Sequence, residues 1–433
     1  MSNENENCKA AKIPLPGGVA RSAGVVKGNM VLMKKVTVIG MGLGAGTMTR
    51  DAVDAVAQAD VLIGAQGMLD MCHESGKRTY PCYLPEDVEA VIAAEDAREF
   101  AMLVSGDVGF YSAAAGIIRL QDTCDLRMIP GVSTVSAFFA RLKLPWQDAA
   151  FVSAHGRIMN IVDAVRRNRL TFCLTGNNTC GIGESLSKAG FGEITTHVGV
   201  NLGSERELVY ETVAGELAHG EYPALTVLVF VNEAFDDRLS FGLPDSNFSR
   251  AKGIPMTKSE TRAVVMSKLN IRPDYICWDV GAGTGSVTVE MALNAYRGHV
   301  FAIERREDAI PLVEQNCVAF HLGNVTAVCG SAPSVLEPLP APDAVFIGGS
   351  GGELIGIIDA VVNKNRDAQI VVTAVTVETV SSSLSAFAKA GLAPEIVQIN
   401  TARGKKTGEL HLLEAQNPVT ILSSAGQCKY RKG

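Results

Sequence analysis

The sequence predicts an α/β protein in two parts, and three observations carry the prediction. Short apolar runs lead repeatedly into a glycine turn and then a helical period, which is how strand, loop and helix alternate around a sheet. Two of those turns are elaborate: VTVIGMGLGAGTMT at residues 36–49 and WDVGAGTGS at residues 278–286. Between them, residues 235–256 collect glycine, proline and mixed charge, the composition of an interdomain connection. A chain of 433 residues that is 47% hydrophobic and 20% charged holds more than one core needs.

Composition narrows the function classes. No apolar run reaches the roughly 18 residues of a membrane span, and the polar start MSNENENCKAAK lacks the apolar centre of a signal peptide, so a cytoplasmic protein is expected. A net charge of −7 argues against nucleic acid as the main partner. Ten cysteines with no C-x-x-C pair read as reduced thiols, not as a zinc site or a disulfide framework.

Residues 1–33, with Pro14, Pro16 and Gly17-Gly18, read as a flexible leader, with Met30 or Met33 as an alternative start. Residues 36–49 then give a buried strand, a loop carrying Gly40, Gly42 and Ala45, and Thr49 as the N-cap of a helix over 50–58. The G-x-G-x-x-A spacing fits a dinucleotide loop, but Asp60, the acid about 20 residues on, precedes the next strand instead of ending it. Two further strand, glycine turn and helix units follow. One covers 101–120, with Gly106, Asp107 and Gly109 in its loop, and the other starts at 128, with Ser133 and Thr134 at its turn.

In the second part, residues 257–269 have a helical period, with Thr257 as N-cap and Glu260 at the capping-box position. Then comes WDVGAGTGS, where Gly281, Gly283 and Gly285 precede a helix over 287–295. Glycine lets backbone N–H groups approach a ligand closely, and a helix N-terminus favours an anionic group, so a nucleotide-like cofactor is the natural guest. The third glycine falls one residue early for a dinucleotide fingerprint. The next strand, 299–303, ends in Glu304, 23 residues after Gly281, where a carboxylate would accept from both ribose hydroxyls.

Loop and acid together resemble a class I S-adenosylmethionine methyltransferase. In the first part VIGMGLG, SGDVGFYS, PGVSTVSAFFARLKLPWQDA and HGR, in that order, resemble the tetrapyrrole methylases, in particular the branch acting on carbon 5 of a corrin precursor. Val108 stands where that family usually has proline, which alters loop stiffness alone. In the second part WDVGAGTGS, AIER, CGSAP, DAVFIGGSGG, QIVVTAVTVET, TARGKK and NPVTIL resemble the decarboxylating carbon 15 methyltransferases of corrin biosynthesis.

The resemblance implies a two-subdomain tetrapyrrole methylase over 34–235, a linker over 236–256, and a doubly wound, Rossmann-like class I methyltransferase over 257–433. It implies S-adenosylmethionine as cofactor, near Gly106, Asp107, Phe110, Ser133 and Thr134 in the first half. In the second half it implies Thr257, Gly281, Ala282, Gly283, Thr284, Gly285, Glu304 and Ala332. Gly40 and Gly42 would line the trough for the macrocycle. A corrin precursor bears many carboxylates, and Lys258, Arg262, Arg403, Lys405 and Lys406 are the candidate partners.

Methyl transfer from a sulfonium is an in-line displacement that needs positioning and dryness, so Ser105, Asp107 and His155 are not read as a triad. His155 and Arg157 form a polar turn for which a structural and a substrate role are both open. Glu378, ending VVTAVTVE, is the candidate for acid–base work at the substrate, with a capping role as its alternative. Metal-free and cobalt-bearing precursors both remain open, and a homo-oligomer is expected. The rivals are a nicotinamide oxidoreductase using either glycine loop, which equilibrium dialysis with NADPH and S-adenosylmethionine would separate; an RNA or protein methyltransferase, against which the tetrapyrrole-like first half weighs; and a non-catalytic scaffold, against which the intact glycine loops weigh.

Overall fold

The structure is a computed structural model that describes residues 33–424 apart from 73–75, 155–159 and 238–240. All of the expected leader except Met33 lies outside the described residues, as do His155 and Arg157.

Among the described residues the chain builds three main sheets. The first is wholly parallel, in the order β3-β2-β4-β1-β5. Its strands are β1 (Lys35–Gly40), β2 (Val61–Gly64), β3 (Arg78–Tyr80), β4 (Glu99–Val104) and β5 (Asp125–Ile129). Crossovers run through α1 (Arg50–Gln58), α2 (Gln66–Asp70), α3 (Pro85–Ala94) and α4 (Ala114–Ile117), and α5 (Thr134–Leu142) follows β5. Val36, Val38, Ile39, Met102 and Leu103 have almost no exposure, as expected of strands covered on both faces. Thr49 caps α1 as expected, accepting from the Ala52 N–H at 3.2 Å.

The second sheet runs β6-β7-β10-β8-β9, with only β6 and β7 parallel. Its strands are β6 (Ala150–Ser153), β7 (Leu170–Leu174), β8 (Thr195–Val200), β9 (Leu208–Val213) and β10 (Thr226–Val231), with α6 (Ile161–Arg167) and α7 (Thr179–Lys188) between them.

The third sheet has the order β13-β12-β11-β14-β15-β19-β16, parallel up to β15 and antiparallel beyond. It is made of β11 (Ile276–Val280), β12 (His299–Glu304), β13 (Val325–Cys329), β14 (Ala344–Ile347), β15 (Gln369–Ala374), β16 (Pro394–Ile399) and β19 (Val419–Ser424). Its helices are α8 (Ser259–Leu269), α9 (Ser286–Asn294), α10 (Ile310–Ala319), α11 (Leu354–Lys364) and α12 (Val377–Lys389). A separate ribbon pairs β17 (Ala402–Thr407) with β18 (Leu410–Ala415). Because β12 and β14 flank β11 and the chain winds away in both directions, the carboxyl end of β11 is a topological switch point.

Two expectations change. The connection expected over 236–256 is, from Gly242 on, built into the C-terminal half. The Gly242 and Leu243 N–H groups donate to Glu290 at 2.9 Å, Asp245 is buried against Arg262, and Phe248 belongs to the core beneath α8–α10. Likewise Thr257 does not cap α8. Lys258 occupies the N-cap without a side-chain bond, and the Ser259 N–H donates to Asp245 Oδ1 at 3.0 Å, an acceptor brought from 14 residues away.

Among the described residues, the halves meet at a patch made by Asn160, Arg167, Ala189 and Phe191 with Tyr296 and His321. The Asn160 amide donates to the Tyr296 carbonyl at 3.2 Å, and the Arg167 guanidinium lies 4.3 Å from the centre of the Tyr296 ring. The His321 ring stacks on Phe191 at 4.3 Å and hydrogen-bonds the Ala189 carbonyl at 2.8 Å. Tyr296 leads into β12 and His321 into β13, so this patch lies at the amino ends of those strands.

Candidate functional site

At the switch point the carboxyl ends of β11, β12 and β14 enclose a cavity of about 270 Å³. Its walls include Gly281 and Gly283 from the β11 loop, Glu304, Arg305 and Arg306 from the end of β12, Gly330 to Ala332 after β13, and Gly348 to Gly351 after β14. The glycines are required here. Gly281 has φ +77°, and a Cβ on it would lie 2.7 Å from the backbone of Gly349; Gly283 has φ +55°, and its Cβ would meet the Pro255 carbonyl at 2.6 Å.

Glu304 is buried at the cavity edge. One carboxylate oxygen accepts from the Gly283 N–H at 2.9 Å and the other from the Arg306 N–H at 3.0 Å. An ionised carboxylate offers about four acceptor positions, so this arrangement fixes the loop and leaves capacity for a diol. Beneath the loop, Asp279 is fully buried, with one oxygen taking the Thr288 hydroxyl and the other unpartnered; burial pushes its carboxyl up to about 7.

The predicted residues divide. Gly281, Gly283, Glu304 and Ala332 meet around the cavity. Ala282, Thr284 and Gly285 do not line it: the first two are buried beneath the loop and Gly285, φ +75°, is the N-cap of α9 against Val313. Thr257 contributes its carbonyl to Arg262.

Arg262 must be corrected as a substrate residue. It is wholly buried, paired with Glu290 at 2.8 Å and Asp245 at 3.1 Å, with Nη1 and Nη2 also bonding the Thr257 and Leu243 carbonyls, so its donors are committed to the fold. Arg403 is engaged by Glu260 and Asp245, Lys258 lies 3.9 Å from Asp245, and Lys405 lies 3.8 Å from Glu414 on the exposed ribbon, which also carries Lys406. Glu378 does not end β15 but sits exposed in the first turn of α12, where a carboxylate complements the helix N-terminus, the N-cap itself being Thr376.

In the first half the loops after β1, β4 and β5 converge. Gly42 and Gly106 exchange backbone bonds of 3.1 and 2.9 Å. Asp107 accepts from the Gly109 N–H at 2.8 Å and the Gly131 N–H at 3.2 Å. A Cβ on Gly131 would lie 2.2 Å from the Gly106 carbonyl and 2.6 Å from that of Gly40, so only glycine fits. Ser133 caps α5 through the Ser136 N–H at 3.1 Å, with Thr134 as its first helical residue. Phe110 joins an aromatic cluster with Tyr111, Phe151 and Phe172.

Sequence reasoning missed Gly131, Arg305, Arg306 and the loop 348–351. The run DAVFIGGSGG carried the last signal, a strand followed at once by glycines.

Fold and site define a methyltransferase using S-adenosylmethionine, with a glycine loop and a buried acid at a switch point in one half. Residues 248–425 match the family described as "Precorrin methyltransferase domain" and residues 35–218 the "Tetrapyrrole (Corrin/Porphyrin) Methylases". A "Probable cobalt-precorrin-6B C(15)-methyltransferase (decarboxylating)" from Pyrobaculum calidifontis is 42% identical over 185 residues, covering 42% of this chain and 95% of its own. A "Precorrin-6Y C(5,15)-methyltransferase [decarboxylating]" from Sinorhizobium sp is 29% identical over 397 residues, covering 89% of this chain and 95% of its own. A solved structure titled precorrin-6y C5,15-methyltransferase, from Geobacter metallireducens, is 39% identical over 42% of this chain and 95% of its own, with a TM-score of 0.40. The chain belongs to the precorrin-6Y C5,15-methyltransferase (decarboxylating) family of cobalamin biosynthesis.

Proposed function

We propose that this chain methylates carbons 5 and 15 of a precorrin and removes the carboxyl of its ring C acetate. Carbon 5 methylation is assigned to residues 34–235, and carbon 15 methylation with decarboxylation to 257–433, the connection 236–256 packing largely with the latter. The observation that carries the second assignment is Glu304, buried opposite the glycine loop at the switch point with acceptor capacity to spare. Likeness to a relative across both halves supports the pairing, and since that relative's name is a precorrin without cobalt, we take the metal-free precursor as substrate.

S-adenosylmethionine supplies an electrophilic methyl group on a sulfonium. In the second half Glu304 would hold the ribose, and the side-chain-free walls at Gly281, Gly283 and Gly348–349 would admit the donor close to the backbone and keep water out. In the first half the junction of Gly40, Gly42, Gly106 and Gly131 would bring donor and macrocycle together, with Asp107 holding the loops and Phe110, Ser133 and Thr134 beside them. Loss of carbon dioxide leaves an electron pair that the conjugated imines of the macrocycle can accept, so the protein need only hold the acetate dry and return a proton. Glu378, exposed beyond β15, is our candidate for that proton.

A homo-oligomer is part of this reading, because the ribbon exposes Leu410 and Leu412 on one face, apolar surface suited to a second copy. So is a cytoplasmic location; no described helix is long and apolar enough to cross a membrane. The test is to incubate the full chain with precorrin and donor and weigh the product. Two methyl groups gained and one carbon dioxide lost supports the proposal; two methyls with the carboxylate retained refutes the decarboxylation.

A further inference from the structure

The cavity after β11 has three basic or acidic neighbours whose roles are visible and one whose role is not. Glu304 is bound by backbone amides, Arg306 by Asp308 at 2.7 Å and the Gly253 carbonyl at 2.6 Å, and Glu353 is the N-cap residue of α11. Arg305 is exposed on the cavity wall, and its guanidinium makes no hydrogen bond or ion pair among the described residues. That contrasts with Arg262, Arg403 and Lys258, each already beside a carboxylate of the protein.

Its position is marked by a glycine. Arg305 Nη1 lies 3.0 Å from where a Cβ on Gly351 would be, and Gly351 has φ +60°. Arg305 follows β12 and Gly351 follows β14, and these strands flank β11, so the side chain crosses over the end of the central strand, a span of roughly 10 Å at the usual strand spacing. A free, planar guanidinium thus lies across the mouth of the cavity.

We propose that Arg305 anchors a carboxylate of the tetrapyrrole over the donor in the C-terminal half. This rests on the function proposed above. Guanidinium matches carboxylate in a two-point fork, and the precursor is rich in carboxylates. The donor has a carboxylate too, but at its methionine end, whereas Arg305 adjoins Glu304, the residue assigned to the ribose; the adenosine end carries no anion for it. Nor is the partner the acetate that leaves as carbon dioxide. A guanidinium on that group would stabilise its negative charge before the bond breaks and slow the loss. Arg305 therefore takes a carboxylate that stays on the ring.

The experiment compares full-length wild type, Arg305→Gln and Arg305→Lys. Calorimetry with S-adenosylhomocysteine gives donor-site affinity, steady-state assays give KM for precorrin, and product analysis gives carbon dioxide released per carbon 15 methyl. In Arg305→Gln the KM is expected to rise by about tenfold or more, the loss of a charge-assisted bond, and Arg305→Lys to recover part of it. Donor affinity is expected to stay within about twofold and the carbon dioxide to methyl ratio at one to one. An unchanged KM overturns the proposal, as does weakened donor affinity with unchanged KM, which would put Arg305 on the adenosine or the methionine carboxylate. A changed ratio would put it on the departing acetate and overturn it too. If wild type forms no carbon 15 product, the proposed function fails, an outcome distinct from all of these.

Discussion

Replacing Glu304 by alanine should separate the two duties this carboxylate combines. Its oxygens accept from the Gly283 and Arg306 N–H groups at 2.9 and 3.0 Å, and they retain lone pairs for the ribose hydroxyls. Loss of hydrogen bonding to a charged acceptor costs about 1.5–3 kcal/mol, so donor affinity in the C-terminal half should fall roughly 10- to 100-fold. The Gly283 N–H also loses its partner in a buried setting, a cost of about 1–3 kcal/mol, and at about 2–4 °C per kcal/mol the melting temperature of that half should drop visibly. Calorimetry with S-adenosylhomocysteine, which should resolve two sites in wild type, reads the first effect and differential scanning calorimetry the second. The N-terminal site and carbon 5 methylation should be untouched. Reduced stability with an unchanged C-terminal affinity would show that Glu304 only staples the loop, and would refute its assignment to the ribose.

Other outcomes follow from the same geometry. Gly281→Ala, whose Cβ would lie 2.7 Å from Gly349, should abolish carbon 15 methylation and spare carbon 5, whereas Gly131→Ala, 2.2 Å from the Gly106 carbonyl, should do the reverse; product mass spectrometry distinguishes them. Asp279 titrates near 3.8 unfolded and at about 7 folded, so the folded state holds the extra proton between those values. Its contribution is complete below pH 3.8 and is lost as pH rises through about 7, a slope of on the order of 1.4 kcal/mol per pH unit. Asp279→Asn should remove that slope, gaining on wild type between pH 5 and pH 8 in urea midpoints; parallel curves would contradict it. Glu378→Gln should slow turnover at carbon 15 without changing donor affinity, and full activity would remove Glu378 from the reaction.

What was legible in the sequence was local. The strand, glycine loop and helix at β11 and the acid ending β12 lie within one short stretch, and the structure brings Gly281, Gly283 and Glu304 together as that spacing implies. What was illegible depended on distant partners. Arg262 looks like any cation near a helix start, and only the arrival of Asp245 and of Glu290 shows it to be buried. Thr257 has the right chemistry for a cap, but Asp245 supplies the acceptor from elsewhere. Gly131 sits in an ordinary turn motif, and its necessity arises from two other loops that approach its backbone.

The patch joining the halves has a consequence for molecular traffic. Tyr296 and His321 meet Asn160, Arg167, Ala189 and Phe191 at the amino ends of β12 and β13, while the C-terminal cavity opens at the carboxyl ends of β11, β12 and β14. Joining the two catalysts has thus not set that cavity's mouth against the neighbouring half. A half-finished macrocycle that leaves the first site must therefore reach the second at the end of the sheet opposite the patch where the halves touch. Tethering then raises the chance of recapture only by keeping both sites on one chain, an effective-concentration benefit of the kind any linked pair enjoys. An excess of free intermediate added to a running reaction should accordingly mix with the pool, and isotope label in the final product should be diluted in proportion.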